Sequence, residues 1–151
     1  MRILLTAALL LAGGQLAVAA ALPSNVTTLS FDPGHGTQVE YVAPGGSNFL
    51  WYPGNSIVLP GHWKVIGASH GRAAQVCFVY GPHTYNPVTG VVGAQWECEL
   101  TTIYLGFQTE RANGDIFGLA HRSTVPFVLS RAQTTLEQLG ARLGLESAAT
   151  R

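Results

Sequence analysis

Two carboxylates with the spacing of an acid–base pair stand out in the sequence. Glu97 and Glu99 occupy alternate positions of a predicted strand, so their side chains share one face, about 6.5–7 Å apart at the backbone. Glycoside hydrolysis uses two carboxyl groups at comparable separations. We expect both to point into water, because Trp96, Cys98 and Leu100 alternate with them and predict an apolar inner face. An enzyme acting on envelope glycan through this pair is therefore kept as an alternative, and no catalytic residue is assigned.

The two cysteines, Cys77 and Cys98, predict a disulfide between neighbouring strands. Their wide separation is unlike C-x-x-C, which argues against a thioredoxin-like redox motif. Closing a loop of this size stabilises a fold by about 3 kcal/mol in the chain-entropy model. Two buried free thiols are the alternative.

The histidines do not form a recognisable metal motif. No two have the close spacing of a structural zinc site, and each lies in or beside a turn rich in glycine or proline. We therefore predict solvated loop side chains at His35, His62, His70, His83 and His121. Phosphate-binding, dinucleotide-binding and G-x-S-x-G motifs are also missing. The sequence predicts no metal site and no cofactor, and it favours a non-catalytic role.

The loop between the two cysteine strands, residues 81–94, is the best candidate for binding. Long loops held by a rigid scaffold often carry binding residues, and a disulfide between the flanking strands would lower the cost of ordering it. An aromatic pair just before a Pro-Gly turn must place one ring outside, where it could join a contact patch. The predicted binding residues are His83, Tyr85, Asn86, Trp51 and Tyr52.

Short antiparallel strands must position these residues. Runs of β-branched and aromatic residues alternate with turn signals, chiefly Pro-Gly pairs, and a phase change at Thr101-Thr102 predicts a bulge within one strand. Asn113-Gly114 predicts a hairpin, and Pro126 assigns a later strand to an edge. The predicted strands cover residues 39–42, 49–52, 57–59, 63–66, 74–80, 95–108, 115–120 and 124–129.

The tail, residues 130–144, has helical spacing of its apolar residues. Leu136, Leu139 and Leu143 fall on one stripe that must dock on the sheet, Ser130 and Gln133 form a capping-box pattern, and Gly144 can end the helix. We therefore predict a mostly β fold, a small antiparallel barrel or sandwich built as a meander, with a short C-terminal α-helix. The single domain spans residues 38–145, between an N-terminal tether at 21–37 with one short strand near 29–31 and a loose tail at 146–151.

Residues 1–20 predict export. Arg2, an apolar run and small residues around Ala19 follow the order of a cleaved signal peptide, and the run is short of a spanning helix. We expect no transmembrane segment in the mature chain and a periplasmic or extracellular location.

Eight Lys and Arg balance eight Asp and Glu without a basic patch, so nucleic-acid binding is not predicted. An unknown protein or a cell-envelope ligand is the expected partner.

A tyrosine–glycine rhythm followed by Gly-x-Trp and a cysteine strand resembles a group of small exported proteobacterial domains of unknown function. The resemblance covers the middle third of the chain, implies an exported antiparallel domain and implies no activity. The residues that carry it are Gly36, Val39-Glu40-Tyr41, Gly45, Tyr52, Gly61-x-Trp63 and Cys77-Phe78-x-Tyr80. A second similarity, to periplasmic lysozyme inhibitors of small β-barrel type, transfers no residues. A lysozyme-inhibitor-like or structural envelope component is therefore a further alternative to a binding module.

Overall fold

A seven-stranded antiparallel sheet dominates the fold, with strand order β6-β5-β4-β3-β2-β1-β7. The computed structural model describes residues 22–68 and 71–145, so the predicted signal segment, His70 and the predicted loose tail lie outside the described residues. The predicted mostly β class with a C-terminal helix is confirmed. The strands are β1 Val26–Asp32, β2 Gly36–Val42, β3 Ser47–Trp51, β4 Leu59–Ile66, β5 Gln75–Tyr80, β6 Glu97–Leu100 and β7 Gln108–Asn113, and the α-helices are α1 Thr101–Phe107 and α2 Leu136–Arg142.

The sheet curls into a half-barrel because its two edge strands are joined directly by α1. This helix has seven residues and therefore rises only about 10 Å between the end of β6 and the start of β7. The first six strands in chain order each pair with the next, as in a meander. β7 instead returns to the N-terminal strand β1. The result is a strongly concave sheet with one helix across its open side.

Both faces of the sheet are covered, by different parts of the chain. On the convex face, Leu29, Val39 and Trp51 pack against the segment that follows β7, including Leu119 and Leu139. On the concave face a second cluster forms around buried Val42, Val76 and Leu22 and is completed by Trp63, Val65, Phe78, Tyr104 and Leu105. The alternation of β2 places Val39 and Tyr41 in the convex-face core and puts Glu40 and Val42 on the concave side.

The segment from Asp115 to Leu145 forms the layer over the convex face. α2 is shorter than predicted and begins after Thr135, whose hydroxyl accepts a hydrogen bond from the Gln138 amide, so Thr135 and not Ser130 caps the helix. The prediction that its leucines dock on the sheet is confirmed, since Leu136 and Leu139 are buried in the convex-face core. Gly144 ends the helical turn at a positive φ of 67°.

The region predicted as one strand over residues 95–108 is divided into β6, α1 and the start of β7, so the predicted bulge at Thr101-Thr102 is wrong. Thr101, Tyr104 and Leu105 have helical spacing, and all three lie on the buried side of α1. The short helix turns the chain across the gap between the two edge strands. An unbroken strand would extend beyond the gap instead of crossing it.

The predicted turn at Pro60-Gly61 is also wrong, because both residues lie inside β4. Gly61 is required there for close approach: a Cβ at this position would lie 2.6 Å from the Val79 carbonyl oxygen and 2.8 Å from Asn48 Oδ1. The glycine is therefore a packing residue of a continuous strand, which joins Leu59, the last residue of the segment predicted at 57–59, to the segment predicted at 63–66.

Two predicted late strands are absent from the described chain. Residues 115–120 form turns and the start of a 3₁₀-helix, because the Asp115 carboxylate accepts hydrogen bonds from the Leu119 and Ala120 amides. Residues 124–129 make only an isolated bridge between Thr124 and Ile57. The predicted N-terminal tether is likewise corrected, since Val26–Asp32 forms β1 and pairs on both sides.

Candidate functional site

The concave face contains a cavity of about 510 Å³. Its lining comes from every strand except β4, from the β1–β2 turn, from α1 and from the loop at residues 81–94. A smaller cavity of about 210 Å³ beneath the same loop adjoins it and shares the lining residues Gln38, Leu50, Tyr80, Asn86 and Glu97. The two form one cleft whose combined size is in the range of small-molecule sites.

Glu40 forms a polar floor between the cleft and the concave-face core. Its Oε1 accepts hydrogen bonds from Asn48 Nδ2 at 2.7 Å and from the Tyr80 hydroxyl at 3.0 Å. Its Oε2 accepts from the Tyr104 hydroxyl at 2.8 Å. Strands β3 and β5 and helix α1 thus each supply one donor, and together they hold the carboxylate in a single orientation.

Burial of this cluster opposes ionisation of its members. Desolvation raises the pKa of Glu40, although the three hydrogen bonds to the carboxylate act in the opposite direction. Burial, followed by the charge of Glu40, raises the pKa of Tyr80 and Tyr104 well above the usual value for tyrosine. Both phenols therefore act as hydrogen-bond donors to the carboxylate.

Glu97 and Glu99 face this cleft, so the predicted orientation of β6 is wrong. The cause is the disulfide: Cys98 lies directly opposite Cys77, whose strand neighbours Val76 and Phe78 occupy the concave face. Cys98 therefore takes the convex face, and the glutamates take the concave one. The predicted Cys77–Cys98 bond itself is confirmed.

The two glutamates have different surroundings within the cleft. Glu97 Oε1 accepts a hydrogen bond from Thr89 Oγ1 at 3.1 Å and so ties the loop to β6. Burial, and secondarily the negative charge of Glu40, raises the pKa of Glu99. The carboxylates of Glu40 and Glu99 are therefore electrostatically coupled across the cleft.

The loop over the cleft is held in a defined conformation. Tyr85 and Val92 form an isolated antiparallel bridge, and Asn86 Oδ1 accepts hydrogen bonds from the Val88 and Thr89 amides. Gly93 allows the loop to close on itself, because a Cβ there would clash with the Gly81 carbonyl group. The loop is a structured cover for the cleft rather than a loose connection.

Apolar side chains surround the mouth of the cleft and remain exposed. Tyr85 and Val92 line the smaller cavity and are 64% and 53% exposed. Val88 and Phe107 line the larger one and are 45% and 49% exposed. Large apolar residues left in water at the edge of a cavity are typical of a surface that meets a ligand or partner.

The structure brings together three of the five predicted binding residues. Tyr52, Tyr85 and Asn86 line the smaller cavity. His83 is exposed on the loop but lines neither cavity, and the prediction for Trp51 is wrong. The Trp51 ring is fully buried in the convex-face core, where its Nε1 donates to the Phe127 carbonyl oxygen at 2.8 Å.

Sequence reasoning missed the residues at the centre of the site. Glu40, Tyr104 and Gln108 line the larger cavity, and none was predicted to contribute. Glu40 carried a usable signal, because it is a lone acid between Val39 and Tyr41 in an apolar strand. Tyr104 and Gln108 carry none, because residues 95–108 have the pattern of a single strand, whereas the structure puts Tyr104 in α1 and Gln108 at the start of β7.

The prediction that the histidines lie in loops is confirmed for His35 and His83 and is wrong for His62. His35 lies in the β1–β2 turn, with Nδ1 2.9 Å from the Tyr52 hydroxyl, whereas His62 lies within β4 and not in a loop. Among residues 22–68 and 71–145, no group of three or more His, Cys, Asp or Glu side chains is arranged to hold a metal ion. Neither α-helix of this part of the chain is long and apolar enough to cross a membrane.

No family model, curated protein or solved structure matches this chain. The resemblance to small exported domains therefore stays a prediction. The function of the protein has to be inferred from the geometry of the cleft.

Proposed function

We propose that this protein is a non-catalytic binding module that takes a cell-envelope ligand into the cleft on the concave face of its sheet. The observation that carries the proposal is the cleft itself: a cavity of about 510 Å³ with a smaller one beside it, under one structured loop. Ligand sites are concave, mostly apolar and supplied with a few convergent polar groups. Phe31, Phe78 and Tyr104 supply apolar lining, and Glu40 and Glu99 supply the polar groups.

The order already present in the site supports binding. The loop is bridged to itself, hydrogen-bonded to Glu97 and flanked by two strands that the disulfide joins. A site that is ordered before binding loses less conformational entropy when the ligand arrives. Leaving Tyr85 and Val92 exposed costs solubility, and contact with a ligand offsets that cost.

Export is part of the same proposal. It rests on the signal-peptide order of residues 1–20 and on the disulfide, which is typical of oxidising compartments. A periplasmic or extracellular domain of this kind would meet envelope components directly.

A cavity-filling substitution tests the binding function. Ser30 lines the larger cavity, and Ser30→Trp places an indole ring in it. We expect the oxidised protein to take up the neutral dye Nile red with a rise in fluorescence, and the S30W variant to lose at least ten-fold in affinity. Ser123→Trp, at an exposed position outside both linings, is the matched control and should bind as the wild type does. Equal dye uptake by all three correctly folded proteins would contradict the proposal.

Hydrolysis of envelope glycan is the second candidate function, and the orientation of β6 favours it. Both glutamates face the cleft, and the raised pKa of Glu99 suits a general acid. In such a reaction Glu99 would protonate the departing glycosidic oxygen while Glu97 takes a proton from the attacking water. Release of reducing ends from purified cell-wall glycan, lost in both E97Q and E99Q, would support it. No release by the wild type, or release that survives in the E97Q/E99Q double variant, removes this candidate.

A further inference from the structure

We propose that the ligand of the cleft is an organic cation, with a protonated nitrogen directed at the carboxylates and an apolar body against the aromatic wall. This inference rests on the proposed binding function and names the chemical class of the ligand. Four independent features of the lining support it: its charge, its acceptor without a donor, its aromatic residues and its size.

The charge of the lining is one-sided. Four of the eight acidic residues of the whole chain line the larger cavity: Asp32, Glu40, Glu97 and Glu99. Among the described residues that line the two cavities there is no lysine or arginine, and His35 is the one basic side chain. A chain with balanced total charge thus concentrates negative charge at its main cavity, which favours positively charged ligands.

The lining also has an acceptor that lacks a donor. Gln108 Oε1 is buried and has no hydrogen-bond partner in the described structure, and Gln108 lines the larger cavity. A buried acceptor without a partner costs free energy, which a ligand with N–H groups would recover. An ammonium group brings three donors and no acceptor, so it matches this lining better than a hydroxyl does.

The carboxylates of Glu40 and Glu99 repel one another across the cleft. The negative charge of Glu40 contributes to the raised pKa of Glu99, so the two groups are close enough to oppose each other's ionisation. A bound cation would offset this repulsion and stabilise both charges. A neutral ligand would leave the repulsion unchanged, and an anion would increase it.

Aromatic residues and cavity size point to an organic ligand. Phe31, Phe78, Tyr104 and Phe107 line the larger cavity, where their faces can contact an apolar body and attract a cation. In the described residues the acidic side chains do not form a metal-binding group. A volume of about 510 Å³ is also far more than a bare ion requires.

Three naphthalene probes of similar shape and different charge test the inference on the full oxidised chain. They are 1-naphthylmethylamine, a cation, 1-naphthylmethanol, which is neutral, and 1-naphthaleneacetate, a carboxylate anion, titrated by calorimetry at pH 7.5 and low ionic strength. We expect the amine to bind at least ten-fold more tightly than the alcohol, and the acetate to bind most weakly. In E99Q the amine should lose at least three-fold in affinity while the alcohol is unchanged, and E97Q gives a second variant on the same face.

Glu137→Gln is the matched control, because Glu137 is exposed on α2 and lines neither cavity. It should leave all three affinities at the wild-type values. Equal binding of amine and alcohol, tighter binding of the acetate, or no amine binding in a protein that still takes up Nile red would overturn the cation inference and leave the binding function intact. Absence of both dye and probe binding would instead remove the binding function itself.

Discussion

Glu40 is the residue on which the chemistry of the site depends most. It is 8% exposed, it lies between the cleft and the concave-face core, and its carboxylate accepts hydrogen bonds from Asn48, Tyr80 and Tyr104. A buried carboxylate held by three donors keeps a defined position, but it loses the solvation it has in the unfolded chain. Glu40 therefore orients the site at some cost to stability.

The raised pKa of Glu40 predicts a pH dependence of stability with a definite sign. Between the ordinary value of 4.5 and the raised folded value, the folded protein holds more protons than the unfolded chain. The free energy of unfolding should therefore fall as the pH rises through this window. Glu99, whose pKa is also raised, acts in the same direction. We expect a higher melting temperature at pH 5 than at pH 7.5.

Glu40→Gln should flatten this dependence and leave the protein at least as stable at pH 7.5, because no buried charge remains at that position. Thermal unfolding followed by circular dichroism at both pH values measures the effect. Exposed Glu137→Gln should keep the wild-type dependence. A melting temperature that rises with pH in the wild type, or an unchanged slope in E40Q, would contradict this account of the buried carboxylate.

Strand β6 is the element in which the covalent and functional features meet. Its Cys98 bonds Cys77 across the strand pair on the convex face, while its two glutamates face the cleft. Beside the disulfide, Lys64 lies over the Trp96 ring at 4.0 Å from its centroid, so the convex face of this edge is held by side chains as well. The disulfide thus determines which face of β6 carries the carboxylates.

Loss of the disulfide should lower the stability of the whole domain. We expect the Cys77→Ala/Cys98→Ala variant to lose about 3 kcal/mol of unfolding free energy, since the unfolded chain regains the entropy of the open loop. Urea denaturation followed by tryptophan fluorescence measures this loss. The reduced wild-type protein is the control and should lose a similar amount, whereas equal midpoints for the oxidised and reduced proteins would contradict the prediction.

At the scale of the whole molecule, the sheet separates two tasks. Its convex face carries the larger core, in which Trp51 packs edge-on against Phe117 and Phe127 and α2 docks through its leucines. Its concave face is only partly filled by a second core, and the space that remains is the cleft. A fold stabilised mainly on one side can leave charged groups on the other, which suits a binding scaffold.

The local features of the fold were predictable, and the long-range ones were not. Runs of β-branched and aromatic residues indicate the strands seen as β2, β3 and β5, and the leucine stripe indicates α2. The β4 strand was divided because Pro60-Gly61 is a turn signal, and the Gly61 packing against Val79 depends on a neighbouring strand. The sequence predicts binding at the loop of residues 81–94, and two of its three predicted residues, Tyr85 and Asn86, line the cleft.

The sequence by itself determined the class of the fold, the C-terminal helix and the pairing of the only two cysteines, because periodicity and cysteine count are properties of short segments and of the whole composition. The tertiary structure alone decided which face of β6 is the inner one, since alternation identifies two faces but cannot say which lies inside when both are covered. It also decided that Glu40, Glu99 and Gln108 meet in one cleft. Their strands, β2, β6 and β7, come together around the cleft only when the sheet curls, and no local pattern encodes that curvature.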